Sequence, residues 1–281
     1  MPALYVCFFL LVALAILPAF GVGVNRWAIP VLWVLPYLIY AFGTHDFRWP
    51  AFARLLAICL PPLAVYLAFP VERLAELTWQ DVAAWLWLSL AILFHQTAGI
   101  WMAPKNLDFM ARLFMIVVCA WLWVFVRPVP QLGYGLTFSW RALRAALMNF
   151  LLFAAIAIPL SLGLRFSRWN PEWPGIGRFC LEYVEIFVFI AWLEELLFRG
   201  FLQTLLSERM KSERWGQGVT SCIFGLSHIL HAPVPNWRYV LLASIAGWFY
   251  GRAFRQGGWL TASAMKHALV DTVWRTFFWR G

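Results

Sequence analysis

The chain has 281 residues, of which 63% are hydrophobic and only 12% are charged. Soluble domains are about half apolar and about a quarter charged, so this composition excludes an ordinary soluble protein and indicates a polytopic membrane protein. The net charge of +9 suits anionic lipid headgroups. The basic residues are scattered singly rather than gathered in a patch, so we expect a lipid bilayer as the surroundings and no nucleic acid as a partner.

Ten apolar segments of helix length follow one another along the chain. The first lacks the basic residues that precede the hydrophobic part of a secretory signal, so we expect it to be retained as a helix. The pattern predicts an all-α fold, a polytopic transmembrane bundle of about eight to ten helices, in an integral multi-pass protein of the cell membrane. The segments are 3–24, 28–43, 51–69, 81–103, 109–126, 142–163, 179–206, 215–231, 237–254 and 259–278.

Proline and glycine mark where these segments bend or end. Pro61 and Pro62 should break or bend the third segment, because proline removes a backbone donor and its ring clashes with the preceding turn. The stretch 127–140, with the sequence RPVPQLGYGLTFSW, is the expected seam between two domains. We predict N-terminal transmembrane helices of unknown role at 1–130 and a second domain at 142–281 that carries the chemistry.

The seventh segment differs from its neighbours because Glu194, Glu195 and Arg199 stand in the middle of an apolar run. A charge at the centre of a bilayer costs roughly 3 kcal/mol, so these side chains should have partners in a protein interior or a wet cavity. On a helix Glu195 and Arg199 lie about 40° apart and can pair, whereas Glu194 points about 100° away from Glu195. One carboxylate is then left for another task. The plainer alternative is a buried structural ion pair with a spare interfacial glutamate.

Two later segments also bring ionisable groups to membrane depth. The eighth contains His228, with His231 one turn later, and the tenth contains Lys266, His267 and Asp271. His267 and Asp271 stand at positions i and i+4 and share one helix face. A lone intramembrane histidine is usually a hydrogen-bonding residue, but ionisable groups on three segments favour a single shared site.

Glutamate, histidine and aspartate in one dry site suit two kinds of chemistry. In the first, a carboxylate with a nearby imidazole takes a proton from water, and hydrogen-bond donors stabilise the oxyanion that develops. In the second, Glu194, His228 and His267 form a His2Glu zinc site with an open fourth position. The chain has no HExxH motif, so no cofactor is firmly predicted and zinc stays open as an alternative. A serine nucleophile is poorly supported, because no GxSxG motif surrounds Ser227.

Three short motifs stand in order in the second half of the chain. Residues 194–199 (EELLFR) match EExxxR, residues 224–228 (FGLSH) match FxxxH, and residues 267–271 (HALVD) match HxxxN/D. In this order and spacing they resemble the signature of the CAAX protease and bacteriocin-processing family of intramembrane endopeptidases, which includes the Ras-converting CAAX endopeptidase. The resemblance covers residues 142–281, which the prediction therefore treats as a CAAX-protease-like catalytic transmembrane domain.

The resemblance implies a bundle of transmembrane helices around a polar intramembrane cavity and cleavage of a peptide bond near the membrane surface. The family was first classed as metal-dependent, and a metal-free glutamate mechanism is the one that we carry over. The implied roles are water activation by Glu194 with His228, an oxyanion site at His267 and Asp271, and a structural or substrate-orienting pair of Glu195 and Arg199.

Two features depart from the family pattern. The third motif ends in Asp271, where asparagine is common, and an ionised aspartate cannot donate the hydrogen bond that an asparagine amide donates. Asp271 therefore has to be protonated, or to orient His267 as a carboxylate orients a base, or to belong to a metal or its surroundings. The N-terminal half resembles no family, so it could select substrates, bind a partner or only anchor the fold.

We expect an intramembrane endopeptidase that hydrolyses a peptide bond of a membrane-associated peptide or protein tail. Prenylated CAAX ends are the best-known substrates of the family, although nothing in this sequence reads a prenyl group. One alternative is a non-proteolytic scaffold or immunity-type member of the same fold. Another is a transporter or proton relay, which predicts inverted repeats and broken helices in both halves, whereas the charged motifs lie only in the second half.

Overall fold

The computed structural model describes residues 2–22, 24–105 and 107–280, and for residues 279 and 280 it describes only the backbone. It is 73% helical, and the strands in these ranges are short. The chain therefore has the all-α membrane-bundle fold that its apolar segments predict.

The chain divides into two compact units, Met1–Gly135 and Leu136–Gly281. The boundary lies within the loop 127–140, which is rich in proline and glycine. All three motifs lie in the second unit. The roles of the two units stay predictions.

Five α-helices form the described part of the first unit. They are α1, Pro2–Ile16, continued by a 3-10 turn at Leu17–Phe20; α2, Ile29–Gly43, preceded by a 3-10 turn at Arg26–Ala28; α3, Trp49–Ala68; α4, Trp79–Leu93; and α5, Asp108–Trp121, continued by a π-helical turn at Leu122–Val126. Helix α1 packs against α2 and α5, and α3 packs against α2 and α4. The Thr78 side chain and Asp81 form a capping box that begins α4.

The fourth apolar segment, predicted at 81–103, is wrong as a helix beyond Leu93. His95 adopts the left-handed conformation with a φ of 51°, and the amide of the following residue bonds to the Ala91 carbonyl. Such a turn closes the C-terminus of a helix, so the polar residues after Leu93 lie in turns. The third segment does not break, because α3 runs through the prolines at 61–62.

The second unit begins with α6 and then contains one long helix. The chain keeps a right-handed helical conformation from Ile176 to Arg209, with two π-helical segments inside it. The elements are α6, Trp140–Gly163; β1, Ser167–Trp169; the long helix, made of α7, Ile176–Ile186, a π segment, Phe187–Ala191, α8, Trp192–Glu195, a second π segment, Leu196–Gln203, and α9, Thr204–Arg209; α10, Glu213–Leu226; α11, Trp237–Gly257; α12, Leu260–Phe277; and β2, Phe278–Arg280.

Helix α11 lies at the centre of this unit, where it packs against α6, α10 and α12. Helix α12 packs in addition against α6, α7 and α8. The strands β1 and β2 pair antiparallel, with Ser167 opposite Arg280 and Trp169 opposite Phe278. This packing brings the middle of the long helix next to the C-terminal end of α10 and the middle of α12, where the motif histidines stand.

Five helices in the described ranges are long and apolar enough to cross a membrane. Helix α6 presents Leu147, Leu151 and Ile156 as exposed side chains, which suits contact with lipid. The segments that carry the motif residues do not meet the same test, because they are shorter or contain more charged and small residues. Five of the ten apolar segments therefore qualify as spans: Pro2–Phe20, Arg26–Gly43, Trp49–Ala68, Asp108–Val126 and Trp140–Gly163.

Candidate active site

The two adjacent glutamates of the first motif lie in a single α-helical turn between two π-helical segments. A π segment widens the helix by one residue per turn, and such segments occur often at functional sites. They also shift the angular positions of side chains relative to a regular helix. The position of each glutamate is therefore set by this local geometry as well as by the helical period.

Glu195 and Arg199 form the buried ion pair that their spacing predicts. Arg199 Nη1 lies 3.0 Å from Glu195 Oε1, and both side chains are 0% exposed. Arg199 Nη2 donates to the Gly247 carbonyl on α11 at 3.2 Å. A Cβ atom at Gly247 would lie only 3.1 Å from that nitrogen, so a glycine allows α11 to approach the guanidinium this closely.

His267 of the third motif connects this ion pair to two further carboxylates. Its Nδ1 lies 2.7 Å from Glu195 Oε1, so Glu195 accepts hydrogen bonds from both Arg199 and His267. Its Nε2 lies 3.8 Å from Glu194 Oε2 and 3.8 Å from Asp271 Oδ2. A separation of 3.8 Å is too long for a direct hydrogen bond. His267 therefore holds one carboxylate firmly and faces two others across a small gap.

Solvent exposure divides these ionisable side chains into two classes. The side chains of Glu194 and Asp271 are 31% and 32% exposed, whereas Glu195 is 0% and His267 is 4% exposed. Water and substrate can reach the first two groups, while the ion pair behind His267 is closed to them. Glu194 and Asp271 therefore form the accessible side of the site, and the ion pair of Glu195 and Arg199 forms its buried side.

His228 of the second motif lies just beyond the C-terminus of α10. Its Nδ1 lies 2.8 Å from the Phe224 carbonyl, and because a carbonyl only accepts, Nδ1 carries the proton of that bond. Nε2 then offers a lone pair or a second proton. The Phe224 ring contacts the imidazoles of both His228 and His267, with centroid distances of 4.9 and 6.0 Å. Phe224, the first residue of the FxxxH motif, thus contacts both motif histidines.

The structure does not pair His228 directly with an acid. Among the described residues, no carboxylate oxygen lies within 4.0 Å of its ring nitrogens, so Glu194 and His228 do not touch. His231 is exposed, and its ring lies 5.5 Å from that of His228. Tyr239 packs against both, at 4.6 and 5.0 Å.

Sequence reasoning missed the contribution of α11, which lies between the motif-bearing helices. Tyr250 of this helix is buried and stacks on His267, with ring centroids 4.3 Å apart and planes 12° apart. Its aromatic type carries no signal in a chain with so many aromatic residues. The glycines Gly247 and Gly251, spaced four apart on α11, are the signal that a close helix contact lies here.

The zinc alternative, with Glu194, His228 and His267 as ligands, does not fit this geometry. No group of three or more His, Cys, Asp or Glu side chains within the described residues is arranged to hold a metal ion. His228 stands apart from the carboxylates, because its Nδ1 is bound to the Phe224 carbonyl and no carboxylate oxygen among the described residues lies within 4.0 Å of its ring nitrogens. We therefore derive no step through a metal.

Residues 176–273 match the family model of Rce1-like type II CAAX prenyl endopeptidases. No curated protein and no solved structure matches the chain. The matched stretch begins with α7 and ends within α12, so all three motifs lie inside it. The chain therefore contains at these residues a domain of the Rce1-like type II CAAX prenyl endopeptidase family, which is a family of proteases.

Proposed function

We propose that this chain is an intramembrane endopeptidase that hydrolyses a peptide bond in a membrane-associated peptide or protein tail, and that its second unit is the catalytic domain. The observation that carries the proposal is the position of His267, which bonds to Glu195 and faces Glu194 and Asp271. Two motifs meet at this imidazole, inside the stretch that matches a protease family.

Accessibility supports Glu194 rather than Glu195 as the group that activates water. A general base must reach the water that it deprotonates. Glu194 is 31% exposed, whereas Glu195 is buried and already accepts hydrogen bonds from Arg199 and His267. In this assignment Glu194 takes a proton from water as the oxygen attacks the scissile carbonyl, and the buried pair only holds His267 in place.

His228 is assigned as the partner of Glu194 in proton transfer. Its Nδ1 proton is committed to the Phe224 carbonyl, which leaves Nε2 to receive a proton and later to give it to the leaving amine. The two side chains form no direct ion pair, so in this assignment the attacking water lies between them. His231 is exposed and stands one turn beyond, so it is not assigned this role.

His267 and Asp271 are assigned to the oxyanion site. If His267 carries both ring protons, Nδ1 donates to Glu195 and Nε2 has a proton free for the oxygen of the tetrahedral intermediate. A neutral ring with its proton on Nδ1 has no such donor at Nε2. The carboxylate of Asp271, 3.8 Å from Nε2, stabilises the doubly protonated ring. This role explains how aspartate serves where the family commonly has asparagine.

The substrate class is proposed from the family that residues 176–273 match, whose description names CAAX prenyl endopeptidases. We propose a prenylated cysteine near the C-terminus of a protein or peptide. In this reaction the peptide bond after the modified cysteine is cleaved by water, which yields a new carboxylate and a peptide amine. The bilayer would hold the prenyl group beside the site.

The test is a cleavage assay in liposomes that contain the purified chain. A quenched peptide with a farnesylated cysteine four residues from its C-terminus is compared with the same peptide without the farnesyl group, each with and without a chelator. We expect the farnesylated peptide to be cleaved faster and the chelator to have no effect. Equal cleavage of both peptides would contradict the substrate class alone. Loss of cleavage with the chelator would contradict the metal-free mechanism.

A further inference from the structure

Lys266 is a fully buried basic side chain for which the assigned chemistry has no use. It is 0% exposed, and among the described side chains no carboxylate oxygen lies within 4.0 Å of its ammonium. Its nearest partners are neutral: the Ala246 carbonyl at 3.5 Å and the rings of Phe153 and Tyr250, whose centroids lie 4.0 and 3.9 Å from Nζ. Burying a charge is costly unless it is paired, so its place needs a reason.

Tyr250 connects this ammonium to the site. The imidazole of His267 lies parallel to the Tyr250 ring at 4.3 Å and covers one face of it. The ammonium of Lys266 lies 3.9 Å from the same centroid, and the guanidinium carbon of Arg199 lies 4.9 Å from it. Tyr250 thus stacks on the imidazole of the proposed oxyanion site and also contacts two basic side chains; Lys266, Tyr250 and His267 are called the stack below.

The charges around this stack explain why a cation there is useful. Three carboxylates, Glu194, Glu195 and Asp271, lie within 4.0 Å of His267. Arg199 is bound to one of them. If His267 and Lys266 both carry a positive charge, the total charge of these six groups is zero. In a buried site the effective dielectric constant is low, so Coulomb interactions act between charges that are not in direct contact.

We propose that Lys266 and Tyr250 are positioning residues that hold the imidazole of His267 in its productive orientation and balance the carboxylates around it. The Tyr250 ring fixes the plane of the imidazole, and Lys266 fixes the Tyr250 ring by a cation–π contact. Neither residue touches the reacting atoms. The inference rests on the proposed function, because it assigns a supporting role in the same site.

The first experiment separates this role from a structural one. The Lys266→Met variant replaces a buried amine that has no carboxylate in contact by an apolar side chain of similar length, so it breaks no ion pair and should not lower stability. We expect kcat to fall roughly tenfold, less than the 10²–10³-fold loss that follows removal of a direct oxyanion donor, while KM and the unfolding temperature do not fall. The Lys266→Arg variant keeps a cation that can stack on aromatic rings and should restore most of kcat. Unchanged kcat in Lys266→Met would overturn the proposal.

The second experiment uses a matched set on α11. Tyr250→Leu removes the ring, Tyr250→Phe keeps it, and Phe249→Leu removes the adjacent buried ring, which lies 5.9 Å from the ammonium and is not stacked on His267. Only Tyr250→Leu should lower kcat about tenfold and shift the imidazole nitrogen resonances of His267 in protein labelled with 15N-histidine in lipid nanodiscs. Equal effects of Tyr250→Leu and Phe249→Leu would overturn the proposal.

The NMR measurement keeps the two proposals distinguishable. If the wild-type chain cleaves no peptide, the endopeptidase proposal fails, but the resonances of His267 still report whether Lys266 and Tyr250 hold its ring. Resonances that do not change in Tyr250→Leu or in Lys266→Met would overturn the stack whatever the activity. Assignment of His267 comes from the signal that disappears in His267→Gln.

Discussion

Among the described residues, each unit buries one pair of an arginine and a carboxylate, and the two pairs have different numbers of hydrogen bonds. In the first unit, Arg127 Nε and Nη2 lie 3.0 and 3.1 Å from the two oxygens of Asp81. The remaining guanidinium protons go to the Leu74, Glu76 and Pro128 carbonyls. Asp81 also accepts hydrogen bonds from Tyr66 and from the capping Thr78.

In the second unit, the pair of Glu195 and Arg199 is equally buried but less completely bonded. A single contact of 3.0 Å joins them, and Arg199 Nε and Glu195 Oε2 have no hydrogen-bond partner among the described residues. Ser263 lies near Glu195, but its hydroxyl donates its hydrogen bond to the Leu260 carbonyl. The bonded oxygen of Glu195 is shared with His267.

We infer from this difference that the first pair is structural and that the second pair serves the proposed site. A fully bonded buried network holds a single conformation. The pair of Asp81 and Arg127 connects the start of α4, and the loop before it, to the start of the loop 127–140. An unsatisfied buried polar atom is costly, so each one calls for an explanation. In the second unit we propose that the explanation is His267. Glu195 accepts a hydrogen bond from this imidazole, and a carboxylate with more hydrogen-bond partners would accept that bond less strongly.

The largest effect should come from the carboxylate that belongs to neither pair. Glu194→Gln removes the proposed base but strands no buried charge, so we expect kcat/KM to fall by about 10²–10⁴-fold with no loss of unfolding temperature. The matched control is Glu185→Gln, an exposed position on the same long helix, which should retain activity. Full activity in Glu194→Gln would show that water activation is assigned to the wrong residue.

The two arginines test the comparison directly. Arg127→Ala and Arg199→Ala each strand a buried carboxylate, and each should lower the free energy of unfolding by roughly 3–5 kcal/mol. The cleavage rate per folded molecule should then differ: Arg127→Ala should keep it, whereas Arg199→Ala should lose it because Glu195 no longer holds His267 in place. Unfolding in mixed micelles measures the free energy, and the cleavage rate divided by the amount of folded protein measures the activity per folded molecule. Equal activities per folded molecule would remove the distinction drawn between the pairs.

Asp271→Asn should have a smaller effect and decides between two roles. If an ionised Asp271 stabilises His267, loss of its charge at a partly exposed position should lower kcat about threefold to tenfold and leave KM unchanged. If Asp271 instead donates a hydrogen bond as a protonated acid, asparagine replaces that donor and kcat is kept or raised. Steady-state rates with the farnesylated peptide distinguish the two outcomes.

The sequence predicted what depends on neighbours along one helix. The contact between Glu195 and Arg199 follows from their spacing, and the shared face of His267 and Asp271 follows in the same way. The bond from His267 to Glu195 joins positions 72 residues apart and depends on how α12 packs against α8, which helical periodicity cannot express. For the same reason the sequence does not predict the contact of Tyr250 with His267, which depends on the packing of α11 against α12.

The first unit shows the same limit more strongly. Asp81 and Arg127 stand 46 residues apart, in a capping box and at the end of a π-helical turn, so neither position suggests the other. The early end of α4 at Leu93 depends on the left-handed conformation of His95, which is uncommon outside glycine. Hydropathy predicted the apolar segments, but local backbone conformation decided where one of them ended.

The smallest predicted effect tests whether the pair in the first unit is as saturated as its bonds indicate. Tyr66→Phe removes the hydroxyl that donates to Asp81 at 2.9 Å, but Arg127 and Thr78 still bond to that carboxylate. We therefore expect the free energy of unfolding to fall by only about 1 kcal/mol, with kcat unchanged. Tyr5→Phe, at an exposed position of α1, is the control and should change neither quantity. A loss as large as that of Arg127→Ala would mean that Tyr66 is essential to the network, and the pair of Asp81 and Arg127 would then be no more self-sufficient than that of Glu195 and Arg199.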